Sequence, residues 1–354
     1  MDEGRRRRAT SSIAIDPVAL LREHPVDPSL VEGARNAIRT CLGVEAGQRF
    51  VLIAESDHED LAAGFLAAAD DVGARSEVVV VDARRAASPV FLESTAALLA
   101  AADASLFVGS IDGIPASFRH HVIDAGGPRR RHGHMPGVNA AMMQQSMRTD
   151  YDEVRALTAR LAARFAGEVT LHVRAPRGTD LTVRCDSSAV WYCEDGVLRE
   201  PGWTNLPAGE LLTTPASAEG VLVPDGGAWD AQAQPVRNAD RLRILFSAGE
   251  VTAIEGGPGS EPDALLAQLD ATPNLRRLGQ VALGTNVGVV AAVGSVLQDL
   301  KMPGFHVSLG HTRPEHTGAS WSCPIEIPLL VRRADLDVDG TPVLRNGRFV
   351  APWV

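Results

Sequence analysis

The stretch RFVLIA at residues 49–54 indicates the fold class of the first part of the chain. It is an apolar run of strand length, and two similar runs follow, SEVVVV at 76–81 and SLFVG at 105–109. Segments with helical spacing accompany them at 28–41, 57–70 and 95–103. Strands that alternate with helices are typical of a parallel sheet covered by helices, so we predict an α/β domain here.

The pattern changes after residues 149–166, which have the spacing of a charged amphipathic helix. Residues 168–173 and 180–184 alternate like strands around a turn at 176–178, and Gly and Pro then recur at short intervals. Helices are predicted in this part only at 263–269 and 288–300. We therefore predict a flexible tail at 1–15, an α/β domain with a parallel sheet at 16–150, and a β-rich α+β domain at 151–354 that carries the active site.

Composition excludes several classes of protein. The 354 residues are 45% hydrophobic and 22% charged, which is ordinary for a globular protein. The most apolar stretch, 287–297, is far shorter than the roughly 18 residues that a membrane-spanning helix needs. A formal net charge of −10 argues against a nucleic-acid partner, so we expect neither a membrane nor a nucleic-acid ligand.

Four cysteines without a CxxC pair or zinc-binding spacing predict a reduced protein. The arginines at 5–8 precede no apolar run, so they do not begin a secretory signal. We therefore predict a cytoplasmic location. The glycines at 256–259 lack a following Lys-Ser or Lys-Thr and are predicted to form a turn, and neither an HExxH nor a GxSxG motif occurs.

A basic cluster, RRRHGH at 129–134, is predicted to lie in a loop before MPGV at 135–138. A solvated loop or an interdomain ion pair is the common role of such a cluster. An anion site is the alternative, with Arg131 as a substrate contact, because arginine matches the geometry of a carboxylate. His132 and His134 lack a third partner nearby in sequence, so they are a weak signal for a metal site.

Several segments in the second half occur in a characteristic order. They are NLPAGELLTTP at 205–215, LGQVALGTN at 278–286, and DLK at 299–301 followed by GFHVSLG at 304–310. Together with MPGV and with GTDLT at 178–182, they resemble the aminopeptidase T family of metallo-aminopeptidases over most of residues 40–330. The resemblance implies an N-terminal α/β domain, a C-terminal β-rich metal-binding domain and a homodimer.

The resemblance also implies where metal ligands stand in this chain. Glu210 and His306 match a glutamate and a histidine of the family's two-metal site. Gln280, Arg313 and Pro324 occupy positions where the family has glutamate, tyrosine and histidine, and these residues weaken or oppose metal binding. Glu326 replaces an aspartate and keeps its charge. We therefore expect the two-metal site to be lost.

The segment CPIEIPL at 323–329 also resembles the related 2,5-dihydroxypyridine dioxygenases, which hold one iron with two histidines and an aspartate. Those histidines stand at the positions of Gln280 and Pro324. What remains is Glu210, His306 and Glu326, as catalytic residues that could hold one divalent ion, Zn, Mn or Fe; a metal-free pocket is the alternative. The substrate contacts are then expected from Gln280, Arg313, Trp321 and Arg131.

Three functions follow from these observations. The first is a divergent aminopeptidase T-like enzyme that acts on a small peptide, amide or other anionic metabolite with at most one metal ion. The second is a mononuclear iron ring-cleaving dioxygenase. The third is a metal-free binding or accessory protein. Metal content separates the third from the others, and iron with oxygen consumption separates the second from the first.

Overall fold

The computed structural model describes residues 16–353, so the predicted tail at 1–15 lies outside the described residues. The strands are, in chain order, β1 (Arg49–Glu55), β2 (Arg75–Val81), β3 (Ala104–Gly109), β4 (Arg131–Pro136), β5 (Val169–Ala175), β6 (Thr179–Cys185), β7 (Tyr192–Glu194), β8 (Gly202–Asn205), β9 (Glu210–Thr213), β10 (Ser217–Leu222), β11 (Gly227–Ala228), β12 (Leu242–Ser247), β13 (Glu250–Gly256), β14 (Leu278–Gly284), β15 (Gly304–Gly310), β16 (Glu326–Val331), β17 (Asp335–Val338), β18 (Thr341–Arg345) and β19 (Arg348–Phe349).

The α-helices are α1 (Pro17–Glu23), α2 (Val31–Arg35), α3 (Glu59–Asp71), α4 (Ala83–Ala86), α5 (Pro89–Ala100), α6 (Ala116–Asp124), α7 (Ala140–Gln144), α8 (Tyr151–Arg164), α9 (Pro262–Ala271), α10 (Val296–Asp299) and α11 (Pro314–Thr317). A π-helix at Asn36–Cys41 continues α2, and short 3₁₀ helices lie at Ser146–Arg148 and Ala239–Arg241. Within residues 16–353, no helix is long and apolar enough to cross a membrane.

The first sheet is parallel, with the strand order β2-β1-β3-β4-β8. Its apolar runs are buried on both faces, since Leu52 belongs to one hydrophobic core and its neighbours Val51 and Ile53 to another. Burial of both faces is the reason why the strands are continuous apolar runs without alternation. The sheet is the one predicted from RFVLIA and the runs that follow it.

Two antiparallel sheets make up most of the second part of the chain. Their strand orders are β13-β12-β10-β6-β5-β17-β18-β19 and β11-β16-β15-β14-β9-β7. Side chains from both, such as Leu171 and Leu181 of the first and Leu283 and Val307 of the second, share one hydrophobic core. The predicted fold class, an α/β part with a parallel sheet followed by a β-rich part, is confirmed.

One strand crosses the predicted division at residue 150. β8 belongs to the second part of the sequence, yet it pairs in parallel with β4 and forms the edge of the first sheet. α8, at the division, also links the two parts, because Tyr151 packs in a core of the first sheet and Leu157 in the core between the antiparallel sheets. The domain boundary at 150–151 stays a prediction.

Two local predictions were wrong. The loop predicted at 129–134 is largely strand β4, in which His132 and His134 are buried. The residues of this strand are polar, but they can be buried because their polar groups are hydrogen-bonded inside the protein. The helix predicted at 288–300 is reduced to α10, since the Asp299 carboxylate accepts the backbone N–H groups of Val293 (2.9 Å) and Gly294 (3.0 Å) and stabilises an irregular loop before it.

Candidate active site

The candidate site lies on one face of the six-stranded sheet. Glu194 of β7 lies opposite Glu210 of β9, which in turn lies opposite Gly284 of β14. His306 of β15 lies opposite Ala282, two residues along β14 from Gly284 and therefore on the same face. The strand register thus brings Glu210 and His306 together, although they are 96 residues apart in the sequence.

Gly284 allows the segment that carries Lys301 to pass directly over this sheet. A Cβ atom at residue 284 would lie 2.8 Å from the carbonyl oxygen of Leu300 and closer still to that of Met302. Only glycine permits so close an approach of two backbones. The Lys301 carbonyl also accepts the N–H of Asn286 at 2.9 Å, which fixes the segment.

Lys301 places its ammonium group between the two glutamates. Its Nζ donates to Glu194 Oε2 at 2.5 Å and also to Glu210 Oε2. The other oxygen of Glu210 lies 2.7 Å from His306 Nε2, and Arg313 Nη1 donates to Glu194 Oε1 at 3.3 Å. The side chains of Lys301, Glu194, Glu210 and His306 are only 2–3% exposed. We call the five residues Lys301, Glu194, Glu210, His306 and Arg313 the Lys301 network.

The charges of the Lys301 network stabilise one another. Burial alone would raise the pKa of Glu210, but Lys301, His306 and Arg313 together hold it well below its ordinary value. Burial would likewise lower the pKa of Lys301, whereas Glu194 and Glu210 keep it raised. The Glu210 carboxylate and the Lys301 ammonium therefore stay ionised although both are desolvated.

The residues present do not fit a metal ion. The two negative charges of Glu194 and Glu210 are balanced by those of Lys301 and Arg313, so a dication between these two carboxylates would be opposed by the ammonium and the guanidinium. Across residues 16–353, no three His, Cys, Asp or Glu side chains are grouped to hold a metal. Of the three ligands expected from the sequence, Glu210 and His306 contact each other, whereas Glu326 Oε1 accepts a hydrogen bond from Ser308 Oγ at 2.7 Å.

A cleft of about 600 Å³ adjoins the Lys301 network. On one side it is lined by residues of α6 and of the first sheet, namely Arg119, His120, His134, Trp203 and Asn205. On the other side it is lined by Tyr192, Glu194, His311, Arg313, His316 and Glu326, and the rings of Tyr192 and His316 stack at 3.9 Å. A smaller apolar pouch of about 260 Å³ shares Asn205, Arg313 and Glu326 with this cleft and also reaches Lys301.

The sequence-predicted site residues fall into two groups. Glu326 and Arg313 line the cleft, and Glu210 and His306 are buried but joined to it through Glu194 and Lys301. Glu210 and His306 are in direct contact, so they lie within hydrogen-bond reach of each other.

The remaining predicted contacts have partners inside the protein. Gln280 lies on the same face of the sheet as His306, and its Nε2 donates to the His311 carbonyl at 2.7 Å. The ring of Trp321 is covered by the Arg277 guanidinium at 3.7 Å. Arg131 donates to Gln48 Oε1 at 2.9 Å at the start of β4, and it borders a different surface pocket.

Sequence reasoning missed the central role of Lys301 and of Glu194. A signal for the lysine was present, since Lys301 is the only lysine among the 34 Lys and Arg residues of the chain. An ammonium is a compact charge with three donors, whereas a guanidinium is larger and planar. A chain that otherwise uses arginine throughout therefore has a lysine where the space between two carboxylates is small.

Comparison with known proteins relates this chain to two groups of proteins. The family model described as "NicX: 2,5-dihydroxypyridine 5,6-dioxygenase" matches residues 29–274. Aminopeptidase T of Thermus aquaticus is 28% identical over 209 residues, which are 51% of this chain and 48% of that protein. The chain therefore spans about half the length of this curated relative.

Two solved structures share the fold. Wild-type AmpT from Thermus thermophilus superposes with a TM-score of 0.66 at 20% identity, over 91% of this chain and 99% of that one. The 2,5-dihydroxypyridine dioxygenase from Pseudomonas putida KT2440 gives 0.65 at 21% identity, over 93% and 99%. The resemblance that the sequence segments indicated is confirmed. Because the family match covers more than half of the sequence, the chain belongs to the NicX family, described as 2,5-dihydroxypyridine 5,6-dioxygenase.

Proposed function

We propose that this protein is an enzyme that binds a small anionic metabolite in the cleft and transforms it by acid–base chemistry, without a two-metal centre. The observation that carries the proposal is the position of Arg313. Arg313 lines both the cleft and the apolar pouch, and its guanidinium is positioned by its hydrogen bond to Glu194. A fixed guanidinium at a cleft wall is suited to binding a carboxylate.

The backbone at Arg313 supports a functional role. Its φ of 50° lies in the left-handed region, which is uncommon for a residue other than glycine. Such a conformation costs of order 1–3 kcal/mol and is concentrated at functional sites. Within residues 16–353, the side chain makes one hydrogen bond, to Glu194, and it is 15% exposed. Donors of the guanidinium therefore remain for a ligand.

Glu326 is the general base in this proposal. Ser308 binds one of its carboxylate oxygens at 2.7 Å and so orients the group at the junction of the cleft and the pouch. Across the described part of the chain, the other oxygen has no hydrogen-bond partner in the protein. A carboxylate that is held by one oxygen and open at the other can accept a proton from a bound molecule.

The Lys301 network supports Arg313 and takes no metal in this proposal. Lys301 provides positive charge between Glu194 and Glu210, where a metal enzyme would need a cation. Glu194 then holds Arg313 with its second oxygen. We also propose that the protein is a cytoplasmic homodimer, which light scattering would show as twice the 37.5 kDa chain mass.

Ligand binding by Arg313 variants tests the anion site. Isothermal titration with a panel of small carboxylates, including benzoate, 4-acetylbenzoate and L-leucylglycine, is expected to find a ligand. Arg313→Gln should then weaken its binding by about tenfold to a hundredfold, because a hydrogen-bonded charge pair is lost. Arg243→Gln is the matched control, since Arg243 forms an exposed pair with Glu255. Equal affinity of wild type and Arg313→Gln would contradict the proposal.

Turnover separates an enzyme from a binding protein. Glu326→Gln keeps the size of the side chain and its bond to Ser308, so we expect ligand binding to persist while turnover is lost. Elemental analysis of the protein as isolated is expected to find less than stoichiometric metal. One bound metal ion per chain that is needed for turnover would refute the metal-free chemistry.

A ring-cleaving dioxygenase is the second candidate, and the family match over residues 29–274 favours it. It requires bound iron and the consumption of oxygen with 2,5-dihydroxypyridine. An oxygen electrode with iron-supplemented protein distinguishes it directly from the first proposal.

A further inference from the structure

A chain of buried side chains runs through the first sheet to the cleft. Arg130 Nη1 donates to Ser105 Oγ at 3.2 Å, and Ser105 Oγ lies 2.8 Å from His132 Nδ1. His132 Nε2 lies 3.2 Å from His134 Nδ1, and His134 lines the cleft. The parallel register places Ser105 directly opposite His132. We call this series the histidine relay.

Arg130 fixes the direction of the first hydrogen bond in the relay, and the Ser105 hydroxyl proton, which needs an acceptor, indicates the direction of the others. A guanidinium can only donate, so Ser105 Oγ accepts from it. Across the described residues, the hydroxyl proton of Ser105 has one acceptor, His132 Nδ1, and a buried hydroxyl proton without an acceptor would be costly. His132 therefore carries its proton on Nε2 and donates to His134 Nδ1.

We infer that His134 presents a fixed, neutral Nε2–H donor to the cleft, and that it binds an uncharged acceptor atom of the ligand, such as a carbonyl or hydroxyl oxygen. This inference rests on the proposed function, in that the cleft is taken as the ligand site. Arg313 stands on the other side of the same cleft. The ligand is accordingly a carboxylate that carries a second, neutral acceptor.

The surroundings of His134 favour the neutral ring. Phe107 stacks on it with the ring centroids 4.9 Å apart, and Trp203 packs nearly perpendicular to it with the centroids 6.4 Å apart. Burial lowers the pKa of His134 to about 3, and the neighbouring Arg119, His120 and Arg130 act in the same direction. The ring of His134 therefore stays neutral where it lines the cleft.

The donor can be observed in the ligand-free protein. Long-range ¹H–¹⁵N spectra of protein labelled with ¹⁵N-histidine report which ring nitrogen carries the proton, and His134→Gln and His132→Gln assign the two signals. We expect both rings to be neutral with the proton on Nε2 between pH 5.5 and 8. A charged His134, or a proton on its Nδ1, would overturn the inference while leaving the Arg313 proposal intact.

Ser105→Ala tests whether the relay fixes the tautomer. Without the hydroxyl, His132 Nδ1 loses its donor, so both rings should show a mixture of tautomers. Unchanged spectra in a folded Ser105→Ala protein would mean that the relay does not set the tautomer.

A matched pair of probes tests the ligand contact. 4-Acetylbenzoate carries a carbonyl acceptor, and 4-isopropylbenzoate has nearly the same shape without it. We expect the first to move the His134 Nε2–H proton signal and the second to leave it in place at equal concentration. His134→Leu should weaken binding of 4-acetylbenzoate about tenfold, whereas His134→Gln, which keeps an N–H donor, should weaken it less. A shift with both probes or with neither overturns the ligand contact.

Discussion

Lys301→Met removes one positive charge and keeps most of the length of the side chain. Glu194 and Glu210 would then lie close together in a desolvated place without the ammonium that joins them. Breaking a buried ion pair in this way costs about 3–5 kcal/mol. We expect urea unfolding to show a loss of this size. The folded variant should also bind Zn²⁺, because two carboxylates and His306 become available as ligands.

The control for this prediction is Arg243→Met, which removes an exposed ion pair and should cost less than about 1 kcal/mol. A Lys301→Met protein as stable as the wild type would show that the ammonium does not stabilise the fold. The charge itself can be followed without mutation, since ¹⁵N-lysine labels one residue in this chain. Its raised pKa means that the stabilisation is complete below about pH 10.5 and is lost only as the pH rises through the higher folded value.

At the scale of elements, β4 makes the stability of the protein sensitive to acid. His134 has a pKa of about 3 in the folded protein against 6.5 for the ordinary group, and burial also holds the pKa of His132 well below 6.5. The unfolded chain therefore binds protons that the folded chain does not. The stabilisation from keeping these two rings neutral is fully present above about pH 6.5 and is lost as the pH drops, at up to about 1.4 kcal/mol per pH unit for each histidine, until the folded rings take up their protons.

The variant His134→Gln isolates this contribution from that of the carboxylates. Urea unfolding between pH 7 and pH 5 should show a shallower loss of stability in the variant, by about 1.4 kcal/mol per pH unit at the acid end. Parallel curves for wild type and variant would show that His134 takes up its proton over the same pH range in the folded and the unfolded protein.

The sequence predicts an element well when its signal is local. RFVLIA at 49–54 is a strand because its side chains are apolar, and this needs no knowledge of distant residues. RRRHGH at 129–134 has the composition of a loop, because the partners that satisfy its polar groups, such as Ser105 and Gln48, lie elsewhere in the chain. Burial of polar groups depends on those partners, so composition alone cannot reveal it.

The site residues also differ in whether the sequence around them gives a local signal. Glu210 and His306 could be predicted from the segments around them, and the structure places them in contact. The Lys301 network could not be predicted from local sequence, because its ion pairs join residues that are 91 and 107 positions apart. Only the strand register and the close approach at Gly284 bring these side chains to one place.

For the whole molecule, the crossing of β8 predicts cooperative unfolding. The first sheet is complete only when β8, from the second part of the chain, is paired with β4. α8 adds to this link, since its buried side chains enter cores on both sides. We expect differential scanning calorimetry to show one transition with equal calorimetric and van't Hoff enthalpies. Two separated transitions would mean that the two parts unfold independently.

The ammonium between Glu194 and Glu210 has a consequence for how this protein is made and kept. A positive charge that belongs to the polypeptide is supplied by translation, so this charge needs no uptake or delivery of an ion. It cannot be stripped by a chelator, and a competing ion present in excess cannot replace it. The charge is thus present in every copy of the protein, whatever the trace-element supply of the cell.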